Sequence, residues 1–339
     1  MEPRTHPLRL AIVGTGISGL AAARDLARHH RVTLFEAGSY VGGHSNTIDL
    51  DLSGEKLAVD TGFIVFNDRT YPGFIAMLKE LEVASHPTSM SFSVQHEATG
   101  IEYNGHSLGH LFAQKRNLFR PGFYRMIRGI LRLSREAKAW LAERDAAPSA
   151  ARPDRADPST TLTLGEFLRR GGYPAEVVDW YIAPMTSAIW SASGSAALEL
   201  PFEFFCRFFD NHAFFDMGER PTWRTVQGGS RTYVRAVLAE LDRHGAQVRT
   251  RCPVRWVRRS PGTHRYQMNI PVSEGGVEIV SAEGTERFDA VVMATHSDTA
   301  LSLLADPSPA EREILGAMPY QENQAIVHTD ARLMPRARS

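Results

Sequence analysis

With 339 residues, 43% of them hydrophobic, the chain is long enough to bury a large core and to divide into about two domains. Lysine plus arginine and aspartate plus glutamate each total 38, so no overall field draws the chain to nucleic acid, and such a role would need a local basic patch. Two cysteines, Cys206 and Cys252, lack the C-x-x-C spacing of a zinc or redox site; this points to no metal and to a reducing, cytoplasmic setting, with a single disulfide left open.

The first elements in chain order are a strand over Leu10 to Val13, a glycine turn, a helix from Ile17 to Arg28 and a strand from Val32 to Glu36, a β-α-β unit. Arg4 and Arg9 ahead of the uncharged run from Leu10 to Ala23 also have the outline of a signal peptide. A signal peptide, however, has no use for glycines at this spacing. In "GTGISG", Gly14 suits the tight turn, Gly16 leaves room for a pyrophosphate, and Gly19 lets helix and strand approach. The helix start then offers the free N–H groups of its first turn, from Ile17 on, and the Ser18 hydroxyl to phosphate. Glu36, followed by Ala37, ends the second strand at the spacing of a carboxylate that binds an adenosine ribose. These features fit NAD and FAD equally.

Next, "TIDLDL" and "KLAVD" alternate about Ser53-Gly54 and predict a hairpin. The spacing predicts a helix from Tyr71 to Leu81, then two strands in "MSFSVQHEATGIEYNG". Residues 121–144 read as a long amphipathic helix whose basic face is a solvated surface. The Pro-, Ala- and charge-rich segment 145–160 reads as an exposed loop. "TLTLGEFLRRGGY" predicts a helix stopping at Gly171-Gly172, and Pro174 starts another, bent near Pro184. The uncharged stretch from Trp180 to Leu198 is too polar to span a bilayer, so no transmembrane segment is expected. After Gly228-Gly229 come a helix from Arg231 to Arg243, strands at "QVRTR", "VRWVRR", "RYQMNI" and "VEIVSA", and finally "FDAVVMATH".

"EAGSYVGGHSNT" resembles the flavin amine oxidase superfamily, in which a second glycine pair follows the ribose carboxylate and approaches the FAD pyrophosphate. The resemblance places Gly42 and Gly43 there and favours FAD over NAD. Many members carry arginine after that pair, whereas this chain carries His44. "VDTGFIVFN" is similar to the segment that runs near the flavin ring, which implies contacts at Asp60, Gly62 and Phe63; "CPVRWV" implies Val254 as the backbone contact to adenine.

Likeness in "DTGFIVFNDRTYP", "PMTSAIWS" and "YQENQAIVHTD" extends almost to the end. It is similar to bacterial predicted NAD/FAD-binding oxidoreductases that resemble the amino-terminal region of plant cyclopropane fatty acid synthases. The fold this implies is α/β: a Rossmann-type FAD-binding domain of discontinuous segments (1–75 and 221–300) with an inserted α+β substrate domain (76–220 and 301–339). Such proteins continue past "HTDARLMPRARS" into a glycine-containing segment that completes the flavin site, so the resemblance implies C-terminal truncation at Ser339.

The function implied is an FAD-dependent oxidoreductase taking a hydride from a C–H bond of a hydrophobic, fatty-acyl substrate. The seven phenylalanines between Phe202 and Phe215 are compatible with a lipid but more often mark a core. The alternatives are an amine oxidase or flavin-dependent lipid isomerase, and a non-catalytic flavoprotein partner of a lipid-modifying methyltransferase. Peripheral membrane contact stays open. His106 and His110 have metal-ligand spacing, but Gly105 and Gly109 disfavour the helix it needs. Ser230 lacks the G-x-S-x-G elbow and reads as backbone near the cofactor, and no residue is singled out as a catalytic base.

Overall fold

Residues Leu10 to Val13 are apolar without alternation, as a strand covered on both faces requires. In the computed structural model they form β1 (Arg9–Val13), an inner strand of a four-stranded parallel sheet ordered Gln247–Arg249, β2 (Arg31–Phe35), β1, Ala290–Met293. The structure describes residues 6–146, 162–190, 194–216, 221–260, 264–267, 270–273, 275–320 and 322–334. They divide into two compact units, the first made of 1–65, 73–86 and 225–325, the second of 66–72, 87–224 and 326–339.

In the first unit the crossover helix α1 (Ile17–Ala27) lies beside the Arg231–Arg243 helix. Arg24 on α1 is buried and donates to Glu240 at 2.6 Å and to Glu80 at 2.7 Å; Arg28 reaches Glu240 at 2.9 Å. Ala11 and Phe35 of the parallel sheet share a buried cluster with Val257, Ile279 and Phe288 from an antiparallel sheet of Val254–Arg259, Val277–Ser281 and Gly284–Phe288. The hairpin of β3 (Thr47–Leu52) and β4 (Glu55–Asp60) turns at Ser53 and Gly54, both with positive φ.

Two segments assigned by sequence to the inserted domain lie in the first unit instead. Residues 76–86 are held there because Gln227 N–H donates to the Ala84 carbonyl and Glu80 binds Arg24. Residues 301–325 are held by the Ala305 N–H on the Val257 carbonyl and by the Arg259–Glu311 ion pair.

The second unit is built on the Pro121–Ala146 helix, whose Leu133, Ala137 and Leu141 pack with Leu164, Leu168, Val177, Phe202, Phe205 and Phe209. Phe202, Phe205 and Phe209 are fully buried, so the phenylalanine cluster is core in its centre; Phe204 alone of the seven is exposed. The hairpin Ser93–His96 and Ile101–Asn104 is present as expected.

The helix after Pro174 departs from a simple bend at Pro184. Between the α-helical Ala175–Val177 and Ala183–Trp190 lies a π-helical turn, Val178–Ile182. Pro184 has no N–H to direct at the Trp180 carbonyl. That carbonyl instead accepts the Tyr103 hydroxyl at 2.6 Å.

The strand read as "RYQMNI" is two paired segments, His264–Gln267 and Ile270–Ser273. Gly284–Phe288 was not anticipated, since "GTERF" offers no apolar alternation. The loop expected over 145–160 begins with two residues still in helix, and the rest lies outside the described residues.

Candidate functional site: a glycine-lined turn at the end of the parallel sheet

The three glycines of "GTGISG" differ in what surrounds them. Gly14 has φ +102°, and a Cβ there would lie 2.5 Å from the Ala294 carbonyl oxygen. At Gly19 a Cβ would lie 2.0 Å from the Gly14 carbonyl oxygen. Packing within the chain therefore demands both glycines. Gly16, the N-cap of α1, has φ −63° and ψ 178°, and a Cβ there would meet nothing within 4 Å. Neither backbone nor neighbours require glycine at this position. With no capping side chain, the N–H groups of Ile17 and Ser18 point out of the helix end, where the dipole favours an anion, and the Ser18 side chain is exposed.

Glu36 is held facing this turn. Its Oε2 accepts the Thr15 N–H at 3.2 Å and the Thr15 hydroxyl, and its Oε1 accepts the Gly38 N–H at 2.7 Å across Ala37. Thr15, fully buried, is a residue the sequence reading missed, because only its position inside the glycine motif marks it. The Glu36 carbonyl accepts the Cys252 N–H at 2.8 Å, which brings the segment leading to Val254 alongside.

Gly42 N–H donates to the Thr15 carbonyl, and a Cβ on Gly43 (φ +56°) would lie 3.0 Å from Gly16 Cα. The second glycine pair is thus set against the first. The next residue, His44, is exposed, and its carbonyl accepts the Phe63 N–H at 2.9 Å. A Cβ on Gly62 would sit 2.3 Å from that carbonyl. Gly62 and Phe63 therefore run directly beside His44.

Asp60 acts within the protein: its Oδ1 accepts the Thr47 hydroxyl at 2.6 Å and both the N–H and hydroxyl of Ser230 at 2.9 Å. It locks the β3–β4 hairpin to the start of the Arg231–Arg243 helix, and Ser230 is buried in that lock. His296 was not singled out from sequence; its ring stacks on Tyr320 at 4.6 Å and lies 6.1 Å from the His44 ring. His106 and His110 lie 5.3 Å apart at a helix of four residues, Leu108–Leu111, and His110 pairs with Ser107. Among the described residues no three His, Cys, Asp or Glu side chains are grouped to hold a metal ion.

The glycine turn, the helix end, the Glu36 carboxylate and the second glycine pair thus converge within one unit. The family model for flavin containing amine oxidoreductases matches residues 17–333. The chain belongs to that family. Its cofactor class is FAD, and the α/β fold with a Rossmann-type nucleotide unit is the one expected.

A probable flavin-containing monooxygenase 1 of Arabidopsis thaliana is 40% identical over 81 residues, 22% of this chain and 15% of that protein. Cyclohexylamine oxidase from Brevibacterium oxydans matches in structure with a TM-score of 0.63 at 17% identity, over 92% of this chain and 63% of the oxidase. A fatty acid isomerase from P. acnes matches with a TM-score of 0.58 at 18% identity, over 91% of this chain and 63% of the isomerase. The chain thus spans less than two thirds of either solved structure. Among the described residues no helix is long and apolar enough to cross a membrane.

Proposed function

We propose that this chain binds FAD at the glycine turn and serves hydride removal from a C–H bond of a hydrophobic, fatty-acyl substrate. The observation that carries the cofactor site is Gly16, a glycine that neither backbone conformation nor packing requires, at a helix end that favours anions. Its missing side chain is explained by a diphosphate resting there.

In this reading Gly14, Gly16 and Gly19 shape the cradle, and Ile17 and Ser18 donate to the diphosphate. Glu36 and Ala37 face the adenosine ribose, with Thr15 orienting the carboxylate. Gly42 and Gly43 admit the diphosphate from the other side, and His44 is its side-chain contact. Asp60 positions the segment carrying Gly62 and Phe63 toward the flavin ring, and Val254 offers its backbone to adenine. When bound, FAD supplies the hydride-accepting centre; the residues of this chain bind and orient it.

The acyl substrate is favoured by the resemblance of "GGHSNT", "PMTSAIWS" and "QGGSRTYV" to proteins like the flavoprotein region of plant cyclopropane fatty acid synthases. Amine oxidation is the second reading, favoured by the family match and by the likeness to cyclohexylamine oxidase. Anaerobic titration of the FAD-loaded protein with unsaturated fatty acids, acyl thioesters and alkylamines separates the two. Bleaching by acyl compounds is the expected result. Bleaching by amines alone would replace the first reading with the second, and an acyl product formed without net oxidation would identify an isomerase.

A further inference from the structure

Residues 115–135 contain one lysine and six arginines and no acidic residue, in a chain whose total charge balances. At the head of this stretch stands the short turn Lys115–Phe119. Its Asn117 is fully buried and donates to the Glu102 carbonyl at 2.9 Å, while the Tyr124 hydroxyl donates to the Leu118 carbonyl at 2.9 Å. Arg116 and Arg120 donate to the Gly100 and Thr99 carbonyls of the neighbouring hairpin, contacts that orient them without neutralising their charge. A turn fixed so firmly from within nevertheless leaves Phe119 86% and Leu118 46% exposed.

Behind the turn, Arg128 and Arg135 stand seven residues apart on the outward face of the Pro121–Ala146 helix, with the exposed Leu131 between them. Of the acidic side chains on the adjoining elements, Glu176 is paired with Arg125 and Glu136 with Arg132, Glu102 is buried, Glu97 sits in the hairpin turn and Asp179 is exposed on the Val178–Ile182 turn.

We propose that this surface docks on an anionic lipid bilayer, with Phe119 and Leu118 entering the headgroup boundary and the surrounding cations meeting lipid phosphates. Two adjacent apolar side chains flanked in sequence by Lys115, Arg116 and Arg120 have the composition of an interfacial anchor. A nucleic acid would use the same charge, but an aliphatic leucine beside the ring gives nothing to a phosphate or a base edge. The balanced total charge of the chain is no obstacle, because attraction to a membrane falls off within a Debye length and only the facing patch counts.

Flotation of the whole chain with phosphatidylcholine vesicles, with and without phosphatidylglycerol, tests this. The chain is expected to float with the anionic vesicles only, and less as salt rises. Leu118→Ser with Phe119→Ser is expected to cut the bound fraction about tenfold or more. Arg128→Gln and Arg135→Gln are expected to cost roughly fivefold each. All three variants should melt as wild type does, because the substituted side chains are exposed. Flotation that ignores phosphatidylglycerol, no flotation at all, or an unchanged Phe119 variant would overturn the proposal. Arginine-dependent binding to a single-stranded oligonucleotide without vesicle binding would do so equally.

Discussion

Gly16 and Gly19 belong to one motif, yet they answer to different constraints. At Gly19 a methyl group would collide with the Gly14 backbone, so Gly19→Ala should lower stability by about 1–3 kcal/mol through overpacking. Thermal or urea unfolding checks this, and an unchanged midpoint would contradict the packing described. Gly16 has open space and an ordinary φ, so its substitution tests the ligand rather than the fold. The sequence pattern shows all three glycines alike; only the surroundings separate packing from binding. The same holds for Glu36 and Asp60. Both are carboxylates near the site, but Asp60 is engaged by Thr47 and Ser230, partners more than ten residues away along the chain that no local pattern reveals.

The elements fixed by period and turn chemistry are the ones legible in advance. β1, α1, β2 and the β3–β4 hairpin fall within a residue or so of their expected limits, because apolar runs and the Ser53-Gly54 turn act locally. The π-helical turn before Pro184 was not legible, since it depends on Tyr103 reaching the Trp180 carbonyl from another element. Helix α1 is tied to the Arg231–Arg243 helix by a buried charge cluster of the same hidden kind. Burial by itself would raise the Glu240 pKa, but hydrogen bonds from Arg24 and Arg28 outweigh it and hold the carboxyl below its ordinary 4.5. A carboxyl with a depressed folded pKa contributes stability above its unfolded value and loses it as the pH falls through the folded one. Glu240→Gln should therefore cost roughly 3 kcal/mol at neutral pH, by leaving Arg24 and Arg28 short of a counter-charge. That cost should shrink as the pH drops below 4.5. Urea titrations at neutral and acidic pH measure the difference, and a cost that stays constant with pH would contradict the assignment.

At the scale of the molecule, the two compact units each contain one cysteine, Cys252 in the first and Cys206 in the second, and both thiols are free and buried. Burial also pushes the Cys206 thiol above its ordinary range. Both should resist a thiol reagent in the native protein at neutral pH, and labelling during urea unfolding should report each unit separately. Fast native labelling would contradict the burial. The strand, glycine turn and helix at the start of the chain were legible because they use a short contiguous motif. The edges of the units were not, because 76–86 and 301–325 are held by backbone hydrogen bonds and ion pairs to distant segments. The substrate is less legible still, since a family's cofactor motif does not encode what the cofactor acts on. The central claim, an FAD site at Gly16, is tested most directly by titrating FAD into wild type and Gly16→Val while following flavin fluorescence, with circular dichroism as the control for folding. Wild type should bind FAD and the variant should not, at closely similar secondary structure. Equal binding by both proteins, or no uptake of FAD by wild type, would contradict the site.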